Sequence, residues 1–276
     1  MPSHAATAGV LRGGLPYNRF GRGSRVVVIF QGLLFENRPL TGPMASVMLR
    51  MYRFLGENHT TYIVTRKPGL PDGHSMQDMA DDYATMIREE FGKAVDIIGV
   101  STGGSIAQHF AALHPDLVRR LVIHSSAFRL RDEAKVVQMR VAELAHRHCW
   151  RGAYAALMGL SLPRSFAARC LLSPLVWFGS LFGGLFFGSP TDPSDLVTTI
   201  EAEDEHDFED RLGEIISPTL VVGGTKDPFY SVDLFRRTAE GIPNAKLVLY
   251  EGMGHPASGQ RFRRDVLAFL DAETEV

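Results

Sequence analysis

Val95-Asp96-Ile97-Ile98-Gly99-Val100-Ser101-Thr102-Gly103-Gly104-Ser105-Ile106 is the stretch on which the fold turns. A short apolar run, Val95 to Gly99, stops at a glycine-flanked serine, and beyond it Ile106, Phe110 and Leu113 recur at i, i+4 and i+7. The first pattern is that of a buried strand, the second that of a helix, and the switch takes only a few residues. Side chains in place of the glycines would clash in so tight a turn, so Gly99-Val100-Ser101-Thr102-Gly103 leaves the Ser101 hydroxyl exposed above the sheet. His114-Pro115 then ends the helix. A glycine-rich strand-to-helix turn can instead cradle an anion on helix-start amides. That alternative loses ground because the partners a serine nucleophile requires are present further along.

Outward from this turn, further strands are expected at Val26 to Phe30, Thr61 to Val64, Leu121 to His124, Thr219 to Val222 and Lys246 to Tyr250. They alternate with amphipathic stretches, the pattern of an α/β fold: a mainly parallel sheet flanked by helices. Gly13, Gly14, Pro16, Gly21 and Gly23 mark a hairpin leading into the first parallel strand. Phe262, Val266, Phe269 and Leu270 repeat at helical spacing and predict a last helix packed on the sheet. The alternation breaks between His124 and Thr219, too long for a plain connection. Residues 128–214 are therefore expected to form an inserted, mainly helical cap, with 1–127 and 215–276 forming the core domain. Within the insert, Glu133 to His148 has helical composition, whereas Cys170 to Thr191 carries no charge at all. Trp177, Phe178, Phe182 and Phe186 in that run are expected to line a substrate pocket, since ligand pockets are mostly apolar. Pro174 and four glycines in the run argue against a membrane span, which needs about 20 predominantly apolar residues.

The chain has 276 residues, 29 basic and 31 acidic, for a formal charge of −2. That balance argues against a nucleic-acid binder. With 45% hydrophobic and 22% charged residues it is ordinary globular material. Two cysteines are too few for a disulfide framework. No Cys or His cluster has zinc-site spacing, so no metal or cofactor is expected; His146, His148 and Cys149 read as helix surface and core, and the acidic Glu201 to Asp210 as a solvated connector. The N-terminal residues lack the basic start and apolar core of a signal peptide, so the expected compartment is cytoplasmic.

A serine hydroxyl needs a base within hydrogen-bond reach and a third group to orient that base. His255, in Gly252-Met253-Gly254-His255-Pro256, lies just past the last strand, at the sheet edge where the Ser101 turn also sits. Asp227, in Gly223-Gly224-Thr225-Lys226-Asp227-Pro228, lies just past the preceding strand. Asp233 is a rival acid but falls inside an expected helix beginning at Ser231. Charge developing on a carbonyl oxygen would be met by backbone donors, expected at Thr102 and, in the loop Gln31-Gly32-Leu33-Leu34, at Leu33.

With these residues assembled, the chain resembles the α/β-hydrolase fold superfamily from about Val10 to Leu270. The resemblance implies a helical cap between the sixth and seventh family strands, and it implies an acyl-enzyme mechanism, because haloalkane dehalogenases and most epoxide hydrolases carry Asp where Ser101 stands. Relatives commonly have His-Gly where this chain has Gln31-Gly32. The activity expected is hydrolysis of small to medium apolar or aromatic carboxylic esters by a Ser101-Asp227-His255 triad, with a small-molecule ester as partner. The same triad would also suit carbon–carbon bond hydrolysis, lactone opening, thioester cleavage or perhydrolysis. A non-catalytic ligand receptor on the same fold is the remaining class.

Overall fold

A computed structural model describes residues 6–162 and 166–272, with the side chains of 166–170 outside the description. The chain opens with β1 (Thr7–Val10), β2 (Pro16–Phe20) and β3 (Arg25–Phe30). There follow α1 (Gly42–Tyr52), β4 (His59–Val64), α2 (Met76–Glu90), β5 (Val95–Val100), α3 (Thr102–Leu113) and β6 (Val118–His124). Among the described residues there follow α4 (Asp132–His146), α5 (Trp150–Gly159), α6 (Phe166–Gly179), α7 (Gly183–Phe187) and α8 (Ser194–Glu205). The chain then returns to the sheet with β7 (Thr219–Gly224), α9 (Val232–Gly241), β8 (Ala245–Tyr250) and α10 (Gln260–Asp271).

The strands form one sheet in the order β1-β2-β4-β3-β5-β6-β7-β8. β1 and β2 make the expected hairpin, β2 pairs antiparallel with β4, and every pairing from β4 to β8 is parallel. Because successive strand residues point to opposite faces, alternate positions sort into two cores. Val28, Phe30, Ile97, Leu121, Ile123 and Val221 pack under α2, α3 and α9. Val27, Ile29, Ile98, Val100, Val122 and Val222 pack under Met48 and Tyr52 of α1 and Phe262, Val266 and Leu270 of α10. Every residue of β5 and β7 is buried, as the central strands of a two-sided sheet require.

The helices between β6 and β7 hold a smaller core of their own, including Val141, Ala145, Tyr154, Leu196 and Ile200, closed by Phe35 from the loop after β3. Phe128, Leu130 and Ala134 at the start of that segment, and Ala202, Phe208 and Leu212 at its end, belong to the main core instead. The inserted segment is thus anchored in the sheet layer at both ends. Among the described residues no helix is long and apolar enough to cross a membrane.

Candidate active site

Parallel strands β3, β5, β7 and β8 all deliver their C-terminal loops to one edge of the sheet, where ligands of open α/β sheets bind. Ser101 stands at the end of β5 with φ 53° and ψ −128°, a backbone conformation rarely adopted by a residue with a side chain. Its amide donates to the carbonyl of His124 at 3.0 Å, and its carbonyl accepts from Gly104 N at 2.6 Å. Gly103 is obligatory: a β-carbon there would lie 2.0 Å from the Phe30 carbonyl oxygen. The strain is therefore held by close packing of α3 against β3.

Ser101 Oγ lies 3.0 Å from His255 Nε2, and His255 Nδ1 lies 2.8 Å from Asp227 Oδ2. The buried carboxylate fixes the tautomer: Nδ1–H donates to Asp227, leaving Nε2 to accept from the serine hydroxyl. Asp227 is itself clamped, its Oδ1 accepting from the amides of Phe229 at 2.8 Å and Tyr230 at 3.2 Å. The Phe229 ring packs beside the imidazole with centroids 4.6 Å apart. Asp233 lies on α9 and faces Arg237 at 3.8 Å, its side chain 72% exposed. The loop carrying His255 is pinned from below, since Ala257 N donates to Ser125 Oγ at 3.0 Å and Ala257 O accepts from His124 Nε2 at 2.6 Å. Tyr52 O–H donates to His124 Nδ1 at 2.7 Å. Burial pushes the His124 pKa down to about 3, so it stays neutral.

Thr102 is fully buried at the first position of α3, where a backbone N–H has no partner within the helix. The loop after β3 crosses directly over the serine: a β-carbon on Gly32 would sit 3.1 Å from Ser101 Cβ. The next residue, Leu33, borders a cavity of about 320 Å³ that Ser101 and His255 also line. Met44, Met48, Leu157, Met158 and Phe187 supply most of its apolar wall. A strand-end serine, a loop histidine and a clamped aspartate converge on an apolar hollow.

Residues 40–268 match the sequence model of the alpha/beta hydrolase family. The chain belongs to that family. It is 26% identical over 218 residues to the putative carbamate hydrolase RutD of Serratia proteamaculans, covering 74% of this chain and 76% of that protein. It is 31% identical over 176 residues to the pimeloyl-[acyl-carrier protein] methyl ester esterase of Chromobacterium violaceum, covering 62% of this chain and 66% of the relative. Among solved structures, the enol-lactonase from Burkholderia xenovorans LB400 superposes with a TM-score of 0.74 at 18% identity, over 96% of this chain and all of the other.

Within this alpha/beta hydrolase, the aromatic residues expected to line the pocket lie elsewhere. Trp177, Phe178, Phe182 and Phe186 do not border the cavity and are 59%, 58%, 50% and 43% exposed. α6 turns Trp177 and Phe178 outward and α7 turns Phe186 outward, Phe182 is exposed in the turn between them, and Phe187 borders the cavity. The Met44, Met48 and Met51 spacing of i, i+4 and i+7 was the sequence signal for the other wall, the apolar face of α1.

Two buried charges under the site carry no motif. Arg66, just past β4 and 1% exposed, donates from Nη1 to the carbonyls of Gln31 at 3.2 Å and Gly32 at 3.1 Å. It ties down the loop that crosses over Ser101, while Gln31 Oε1 makes no hydrogen bond to any described residue. Glu203, near the end of α8, is fully buried, which corrects the reading of Glu201 to Asp210 as a solvated connector. It accepts from Ser105 Oγ at 2.8 Å and from Tyr230 O–H at 3.4 Å. Burial raises its pKa and lowers that of Arg66.

Proposed function

We propose that this protein is a serine hydrolase that cleaves small to medium apolar or aromatic carboxylic esters through an acyl-enzyme. The observation that carries the reading is the continuous hydrogen-bonded chain Ser101, His255, Asp227 at the wall of an apolar cavity. Ser101 Oγ attacks the ester carbonyl carbon as its proton passes to His255 Nε2. Asp227 stabilises the imidazolium, and the amides of Leu33 and Thr102 donate to the oxyanion. Collapse breaks the bond to the alkoxide, which leaves with the proton from His255. Water, deprotonated by the same imidazole, then attacks the acyl carbon and releases the acid and the free serine. Atoms and protons balance with these groups and water alone, so the reaction calls for no metal or cofactor.

The cavity sits at the small end of ligand pockets, which run to about 300–1,000 Å³, and its wall of Met, Leu and Phe side chains favours a short apolar acyl or aromatic group. The helices between β6 and β7 act as the cap, contributing Leu157, Met158 and Phe187.

Turnover of a nitrophenyl butyrate and labelling by a fluorophosphonate test this directly. Ser101→Ala is expected to abolish both, and His255→Ala to lower kcat at least about 10³-fold with the fold intact. Comparable turnover in either variant, or a phosphonyl adduct on another residue, refutes the assignment. A panel of esters, lactones, thioesters and diketones ranked by kcat/KM assigns the bond: an ester optimum supports the reading, and a diketone or lactone optimum replaces it with another reaction of the same triad.

A further inference from the structure

α6 is apolar on both sides. Its inner side, with half-buried Leu172 and Val176, faces α5, where a β-carbon on Gly179 would meet Met158 Cε at 2.9 Å. Its outer side carries Leu171, Leu175 and Phe178 at i, i+4 and i+7, which are 76%, 66% and 58% exposed. The stripe runs on past the helix end through Phe182 and Leu185, at 50% and 64%. Single exposed apolar residues are ordinary, whereas a contiguous stripe marks an interaction surface.

The charge around this stripe is one-sided. From Leu144 to Thr191 the sequence has four arginines and no Asp or Glu; from Asn37 to Gly56, a segment that includes α1, it has three arginines and again no acid. α7, in the first segment, packs against α1, in the second, with Gly42 beside Leu185. Together they carry +7 in a chain of net charge −2, so the remainder carries −9. Arg38 pairs with Glu36, and Arg147 with Glu143 at 2.9 Å. Arg50, Arg53 and Arg151 have no carboxylate partner among the described residues, and Arg151 lies 3.5 Å over the ring of Trp177.

We infer that this face docks on an anionic lipid surface. An apolar stripe flanked by cations is the pattern of an interfacial helix, whose apolar side enters the acyl boundary while the arginines meet headgroup phosphates. A second copy of the chain would bring the same cationic segments together, and like charges oppose that contact. A protein partner is read through about one hydrogen bond per 100–200 Å². The stripe from Leu171 to Leu185 offers few side chains for it. The face also runs to the cavity edge, where Met44 and Val47 of α1 meet Phe187 of α7. An ester held in lipid reaches Ser101 from that side, a consequence that rests on the esterase reading; the docking itself does not.

Flotation of the full chain with vesicles of phosphatidylcholine, alone or with phosphatidylglycerol, tests the inference, with light scattering run in parallel. Partitioning is expected to be at least about tenfold stronger on the anionic vesicles and to fall at about 0.5 M salt. Leu171→Glu/Leu175→Glu should reduce it about tenfold further while leaving turnover of a soluble short ester, and the melting curve, unchanged. Arg50→Glu/Arg53→Glu should remove the preference for anionic lipid. Absence of binding by the native chain, equal binding to both vesicles, or binding indifferent to the leucine substitutions overturns the inference. So does a native dimer that the leucine variant converts to monomer, which assigns the face to a second copy. Vesicle binding without turnover of any ester counts against the esterase reading alone.

Discussion

Replacing Arg66 with Met tests whether the loop over Ser101 is held by this one side chain. Met keeps much of the buried stem but removes the donor to the Gln31 and Gly32 carbonyls. Hydrogen bonds from a charged donor contribute about 1.5–3 kcal/mol each. At 3.1–3.2 Å both lie at the long end of the range, so the lower figure applies and the restraint lost is about 3 kcal/mol. That equals the full worth of one oxyanion donor, about 2.7–4 kcal/mol. If the Leu33 amide is held in place by this restraint, kcat should fall about 10²-fold while KM changes less than about threefold, because the apolar wall that binds the substrate is untouched. Steady-state kinetics on a soluble ester, with a denaturation curve at the same pH, separates this from unfolding. Arg66→Lys, which keeps a charge but not the planar fork, should fall between the two. Native kcat in a folded Arg66→Met variant, or a loss confined to KM, would refute the reasoning.

Stability should fall as pH drops from about 6.5, because burial holds His124 and His206 at about 3 while the unfolded chain takes up protons. In that window the unfolded state binds more protons, so at pH 5 each histidine costs about 2 kcal/mol; an unchanged denaturation midpoint between pH 7 and pH 5 contradicts this. Glu203 acts with the opposite sign: its raised pKa favours the folded state at low pH and that contribution is lost as pH rises through the folded value. Glu203→Gln should therefore lessen the loss of stability as pH rises above about 4.5, and Glu203→Leu, which strands the Ser105 and Tyr230 hydroxyls, should cost about 1–3 kcal/mol more in urea denaturation. Gly103→Ala should yield little folded protein by circular dichroism, since its β-carbon would meet backbone oxygen at 2.0 Å; a native melting curve would show that α3 can shift without cost.

What the sequence made legible was local. The strand-turn-helix at Ser101, the short strands and the loops bearing Asp227 and His255 are each written in a dozen neighbouring residues, and parallel topology brings their ends to one edge. Facing is a different matter. Leu171, Leu175 and Phe178 share a helix face, but Leu172 and Val176 opposite are equally apolar, so periodicity could not say which side is buried. Phe186 and Phe187 are adjacent in sequence yet only one borders the cavity. Glu203 reads as part of a solvated connector and Arg66 draws no notice in the sequence, because burial is set by distant segments: α3 and the Tyr230 loop for the first, the loop after β3 for the second.

Those two buried charges explain how a site assembled from distant segments keeps its geometry. A buried charge costs desolvation and is retained only where its hydrogen bonds repay that cost. Arg66 engages the carbonyls of Gln31 and Gly32, in the loop that crosses over Ser101. Glu203 holds Ser105, one turn beyond Ser101, and Tyr230, whose amide clamps Asp227. One carboxylate from α8 thus links the helix behind Ser101 to the loop that orients His255. α8 lies in the same stretch between β6 and β7 as Leu157, Met158 and Phe187, so the helices that line the cavity and the Tyr230 loop that holds Asp227 are joined through Glu203.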